Sequence, residues 1–192
     1  MRTTRLEAFS DGVIAILITI MVLELKTPEG HDWAALGSLG TKFSAYVLSF
    51  VFIGIYWSNH HHMLHMTERV TGAILWTNLH LLFWLSLIPF GTAWVGDSNH
   101  APVPTATYGA ILLCSGIAYY VLETTIKRSQ GAHSRLRSAV GSDIKGLASV
   151  VMYAIAIGIA FVNPLISQAI YFGVALMWLV PDPRIERHLR RE

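Results

Sequence analysis

The stretch RLEAFSDGVIAILITIMVLEL, Arg5 to Leu25, decides how the rest of the chain is read. From Gly12 onward it is apolar enough to enter a bilayer, and its whole length suits a spanning helix of about 20 residues. Yet Arg5, Ser10 and Asp11 stand directly against that apolar run. A charge at the centre of a membrane helix costs roughly 2.5–3.5 kcal/mol on insertion scales, so these groups need partners or water. On a 3.6-residue period Gly12, Ile16, Thr19, Ile20 and Leu23 fall on one face, beyond Asp11 at the polar end. Two readings are open. The helix is an ordinary buried one whose Asp11 pairs with Arg5, or its Ile16/Ile20/Leu23 face meets copies of itself and closes a pore by dewetting.

Composition settles the class. The chain has 192 residues, 53% hydrophobic and 14% charged, against about 25% charged in a soluble domain. Its mean hydropathy is +0.49. This is the make-up of an integral membrane protein. A net charge of +2 and the lack of a basic stripe with interleaved aromatics exclude nucleic acid as a partner. The single cysteine, Cys114, cannot form an internal disulfide and reads as a buried thiol. Asp11 beside the apolar run, and no small-residue cleavage site around Glu24–Lys26, argue that the first segment is retained rather than removed as a signal peptide.

Six apolar stretches are long enough to be spanning helices: about 6–25, 36–63, 70–95, 105–126, 144–162 and 165–180. Pro28 and Gly30 break the chain after the first, Pro89 predicts a kink in the third, and Asn163-Pro164 turns the fifth into the sixth. The expected architecture is all-α: one six-helix transmembrane unit over 1–192, with a basic tail at 181–192. With six crossings both termini share one side. That side holds Arg2, Arg5, Arg69, Lys127, Arg128, Arg135, Arg137, Lys145, Arg184, Arg187, Arg190 and Arg191, which leaves only Lys26 and Lys42 for the other. Positive charge marks the cytoplasmic face, so both termini are expected inside a cell membrane. An odd number of crossings would mix the two sets.

The motif Arg5-x-x-x-Phe9-Ser10-Asp11, followed by Gly12-Val13-x-Ala15-Ile16 and Thr19, resembles the signature of the transmembrane protein 175 family of potassium channels. The stretches YWSNHH (Tyr56–His61) and LLFWLSLIPFGTAW (Leu81–Trp94) resemble that family's second and third helices, so the likeness covers essentially the whole chain. It implies a cation channel without a TVGYG filter, its pore lined by the first helix of each subunit. Animal members carry two six-helix repeats and work as dimers; a single-repeat chain is similar to the prokaryotic form and implies a homotetramer, an assembly that closed symmetry permits. The resemblance puts Ile16 at the narrowest point, with Thr19, Ile20 and Leu23 lining the outer side. Permeant potassium near the Thr19 hydroxyls is the only ligand expected, with no cofactor. Arg5, Phe9, Ser10 and Asp11 are then expected to form a polar network with Trp57, His60, His61 and Asn78 that keeps the first helix aimed. A carboxylate accepting several hydrogen bonds and facing a cation is held ionised there.

Other constellations carry less. In HHHMLH, His61 and His65 have the i, i+4 spacing of two zinc ligands, but only Glu68 lies near to complete a site, so no metal is assigned. Histidines at the cytoplasmic interface would make conduction pH-dependent. Trp94 and Trp178 fit an interfacial aromatic belt, and the basic tail fits anionic lipid heads. No Ser-His-Asp set, phosphate loop or carboxylate pair points to an enzyme. The competing functional class is a secondary transporter or proton-coupled cation carrier using Arg5, Asp11 and His61 as a relay, for which paired broken helices would be the sign.

Overall fold

The computed structural model describes residues 3–131 and 144–179. These form helices α1 (Thr3–Leu23), α2 (Trp33–Gly37), α3 (Gly40–His65), α4 (Gly72–Ser86), α5 (Ile88–Asp97), α6 (Pro102–Ser129), α7 (Ile144–Ile159) and α8 (Pro164–Leu179). Arg2, Arg135, Arg137 and the basic tail at 181–192 lie outside the described residues.

The first helix includes its polar start and stops at Leu23, where Leu25 N–H turns back to the Val22 carbonyl (3.1 Å) ahead of Pro28 and Gly30. The second apolar stretch divides. Asp32 caps the short α2 by accepting from Ala35 N–H (2.8 Å), and the longer α3 follows. Thr71 caps α4 in the same way, from Ile74 N–H at 3.3 Å. Near Pro89, where a kink is expected, the helix is interrupted at one residue, Leu87, which stays in a right-handed helical conformation between α4 and α5. Leu87 bonds back to Trp84 in a tight turn (3.2 Å), and Pro89, with no N–H to give, sits in the first turn of α5.

Among the described residues three segments are long and apolar enough to cross a membrane: Thr3–Leu23, Gly72–Asp97 (α4 and α5 together) and Pro102–Ser129. α7 and α8 are apolar but shorter. α3 has the length, at 26 residues, but its second half carries Asn59 and four histidines.

Packing runs antiparallel. At one end of the bundle Thr3 Oγ1 donates to the Thr67 carbonyl (3.2 Å), joining the start of α1 to the end of α3, and Trp178 Nε1 donates to Ser149 Oγ (2.8 Å), joining the end of α8 to the start of α7. At the other end Lys42 pairs with Asp97 (2.6 Å), and His100 meets Gln168. Arg5, Arg69, Lys127, Arg128 and Lys145 belong to the first end, Lys26 and Lys42 to the second, the partition that the charges imply. α1 packs on α3, α4 and α5 through Leu6, Ser10, Ile14, Leu17 and Met21. α7 packs on α6 and α8, on the far side of the bundle. Gly109 makes room for the Tyr171 side chain: a Cβ there would overlap its hydroxyl, which donates to the Thr105 carbonyl (3.2 Å). Cys114 is free and only partly buried on α6.

Candidate functional site

The polar start of α1 lies along the end of α3. Trp57 Nε1 donates to Asp11 Oδ1 at 3.1 Å. One helical turn away, His61 Nδ1 stands 2.7 Å from Glu7 Oε1, an ion pair whenever the imidazole is protonated. Both pairs step by four residues, so the antiparallel helices bring matching faces together. The rings continue the ladder: Trp57 and His61 lie 6.3 Å apart, and His61 stacks on His65 at 6.3 Å. Among the described residues no three His, Cys, Asp or Glu side chains are placed to hold a metal ion.

Behind this ladder runs a fully buried chain of hydrogen bonds. Asn78 Nδ2 on α4 donates to Ser10 Oγ (3.0 Å), and Ser10 Oγ donates to the Leu6 carbonyl (2.9 Å). Asn78 Oδ1 accepts from His60 Nε2 on α3 at 2.7 Å. That contact makes Nε2 the protonated nitrogen, and His60 Nδ1 has no hydrogen-bond partner among the described residues. Three helices are thereby pinned at one depth by groups that would be costly to leave unpaired in a low-dielectric interior.

Beyond Asp11 the two faces of α1 part company. Leu6, Ser10, Ile14, Leu17 and Met21 are buried, while Gly12 and Thr19 are exposed and Ile16, Ile20 and Leu23 are 57%, 40% and 77% exposed. Arg5 and Phe9 continue this open stripe toward the polar end. A Cβ built on Gly12 meets nothing within 4 Å, so a neighbour could approach closely there. Thr19 Oγ1 donates to the Ile16 carbonyl (2.9 Å), which commits its proton and leaves the oxygen's lone pairs facing out.

The structure therefore joins Ser10, His60 and Asn78 in one cluster and Asp11, Trp57 and His61 in a neighbouring one. Arg5 is exposed, and Phe9, 51% exposed, belongs with the stripe rather than the cluster. The acid opposite His61 is Glu7, a residue that the motif skips. Its signal was available: Glu7 precedes Asp11 by four residues as Trp57 precedes His61, so an antiparallel pair that joins Asp11 to Trp57 must also join Glu7 to His61. The arrangement can fix a helix in rotation and depth while presenting an apolar stripe, broken by one row of hydroxyls, to whatever stands opposite.

Comparison with known proteins fits this geometry. The family profile described as "Endosomal/lysosomal potassium channel TMEM175" matches residues 5–89, which hold the ladder, the buried chain and the stripe. A protein of Chryseobacterium sp. (strain P1-3), named as a potassium channel, is 53% identical over 186 residues, covering 97% of each chain. Another so named, from Streptomyces collinus, is 31% identical over 204 residues, covering 95% of each. The crystal structure of a lysosomal potassium-selective channel TMEM175 homolog from Chamaesiphon minutus superposes with a TM-score of 0.81 at 28% identity, covering 93% of this chain and 96% of that one. The fold is that of these all-helical channel proteins, and the chain belongs to the TMEM175 family, a family of ion channels and not of enzymes.

Proposed function

We propose that four copies of this chain form a potassium-permeable cation channel in the cell membrane, with α1 of each copy lining the pore. One observation carries the reading: the Gly12/Ile16/Thr19/Ile20/Leu23 face of α1 is open in the single chain, although the opposite face of the same helix is packed into the core. Around a four-fold axis the stripe faces its own copies. Ile16 then forms the constriction, whose apolar ring closes the path by excluding water. Thr19 supplies, one turn outward, the nearest oxygen atoms that a partly dehydrated cation can use. Ile20 and Leu23 line the outer mouth. The ladder and the buried chain hold α1 in register, so that the four Ile16 side chains meet at one level.

In this reading each subunit crosses six times, with α4 and α5 sharing one crossing. The Lys/Arg-rich end of the bundle, with both termini, faces the cytoplasm. Potassium is the permeant ion, and relatives named as potassium channels across nearly the whole chain support that choice.

The test is purified protein reconstituted in liposomes and planar bilayers. Potassium flux exceeding sodium flux, with discrete unitary current steps, is the expected result. A smooth, saturating flux without steps would mark a carrier instead, because carriers turn over too slowly to resolve single events.

A further inference from the structure

On the side of the bundle away from α1 there is a cavity of about 410 Å³ between α3, α6, α7 and α8. This lies within the range of roughly 300–1,000 Å³ typical of ligand sites. Its floor is aromatic. Phe52 and Tyr153 are buried, with rings 6.4 Å apart, and Tyr56 packs edge-on against Tyr119 at 6.1 Å. Its rim is formed by Ile117, Tyr120 and Leu147, which are exposed on the outside of the bundle. One end carries the Asn59 amide, the Ser149 hydroxyl and the Trp178 indole N–H, while elsewhere the only polar side-chain atoms of the lining are tyrosine hydroxyls, that of Tyr56 beside Gly116 among them. That end belongs to the basic side of the protein, with Lys145 directly before the lining residue Gly146 and Arg128 exposed at the end of α6.

We propose that this cavity holds one acyl chain of an anionic phospholipid, whose phosphate lies at the basic end beside Lys145 and Arg128. The wall argues for a chain, since apolar and aromatic surface open toward the bilayer is not filled by water and gains dispersion contact from a hydrocarbon. The length fits as well. From Asn59 to Phe52, or Gly146 to Tyr153, the lining spans seven residues, roughly 10 Å of helix, within the roughly 15 Å of one leaflet's hydrocarbon. The amide, hydroxyl and indole N–H gathered at the end that leads to cationic side chains match a lipid's own gradient from tail to head. The site is distinct from the α1 stripe and stands whether or not that stripe lines a pore.

Trp178 reports on occupancy because its ring lines the cavity. The full-length protein is reconstituted in phosphatidylcholine vesicles containing increasing fractions of phosphatidylglycerol brominated on the acyl chain. The Trp178 signal is taken as the difference between wild type and Trp178→Phe. Its quenching should saturate at a low fraction of the brominated lipid, and brominated phosphatidylcholine should quench it less. Gly116 provides the blocking variant: a Cβ there meets only the Tyr56 hydroxyl, at 3.8 Å, so Gly116→Leu projects into free space and should abolish the saturable phase. Quenching that rises in simple proportion to lipid fraction, unchanged in Gly116→Leu, would overturn the proposal. A second measure needs no variant. Phospholipid phosphorus should remain with the wild-type protein after extensive detergent washing, and its complete loss counts against the site.

Discussion

Trp57 Nε1 reaches Asp11 Oδ1 at 3.1 Å, and this contact connects the motif on α1 with the aromatic run on α3. It lies at the boundary between the packed and the open face of α1, where a small rotation of the helix would redirect the open stripe. The bond is partly exposed, so its net value is about 1 kcal/mol per chain. Its importance lies in direction more than in strength.

If the chain assembles as proposed, Asp11→Ala loses the tetramer on size-exclusion chromatography, or keeps it with potassium flux greatly reduced. Asp11→Asn, which retains an acceptor for the indole, should preserve more of both. Trp57→Phe keeps the ring but not the N–H and should fall between them. A normal tetramer with full flux from Asp11→Ala would remove this contact from the mechanism.

Asn78 presents a different case, because everything around it is buried. Asn78→Ala leaves the buried His60 Nε2–H unpaired, at about 1–3 kcal/mol, and removes the donor to Ser10 Oγ, which keeps its own bond to the Leu6 carbonyl. Among the described residues the Thr77 hydroxyl, next in sequence, bonds to carbonyls of its own helix. Thermal unfolding in detergent should show a large drop in midpoint for Asn78→Ala and almost none for Thr77→Ala. Equal drops would mean that the buried chain contributes no more than a helix surface does.

Much of this was legible in the sequence, and the limits have physical causes. Hydropathy located the apolar stretches that the helices occupy, because burial in lipid leaves a strong signal, but the second and third stretches each divide into two helices. The interruption at Leu87 follows from the N–H that Pro89 lacks. Ser10, His60 and Asn78 were named by resemblance, but that they meet is tertiary information, since residues 68 apart carry no shared period. Arg5 drew attention through its charge and turned out exposed, whereas Glu7 was overlooked because a carboxylate near a helix start has an ordinary explanation. The aromatic cavity was invisible: its lining comes from four helices, and each Tyr or Trp alone reads as core or interface.

His100 gives a pH dependence with a definite sign. It lies in the turn between α5 and α6 in a left-handed conformation (φ 60°), against Gln168 of α8, and burial pushes its imidazole below the ordinary value. The unfolded chain then takes up this proton first. Stability is fully present above the ordinary histidine value of about 6.5 and declines as pH falls through it. Melting midpoints measured from pH 8 to pH 5 should fall, and His100→Gln should flatten that slope while leaving the pH 8 midpoint nearly unchanged. An identical slope in the variant would rule out His100 as the source of the acid sensitivity.

On the proposed reading, Ile16 gates and Thr19 selects, and substitutions can separate the two roles. Ile16 is 57% exposed in the single chain, so Ile16→Asn removes little core packing and should leave assembly intact. A polar side chain at an apolar constriction keeps it wet, and lowering the barrier by 1.4 kcal/mol would raise leak flux about tenfold. Thr19 lies one turn outward with its proton committed to the Ile16 carbonyl at 2.9 Å, so its oxygen is the atom available to a cation. Thr19→Ala should reduce the preference for potassium over sodium in reversal-potential measurements without a comparable rise in leak, and Thr19→Ser should restore it. If Ile16→Asn altered selectivity while Thr19→Ala altered only leak, the two roles would be exchanged. If neither changed either quantity, α1 would not line the path.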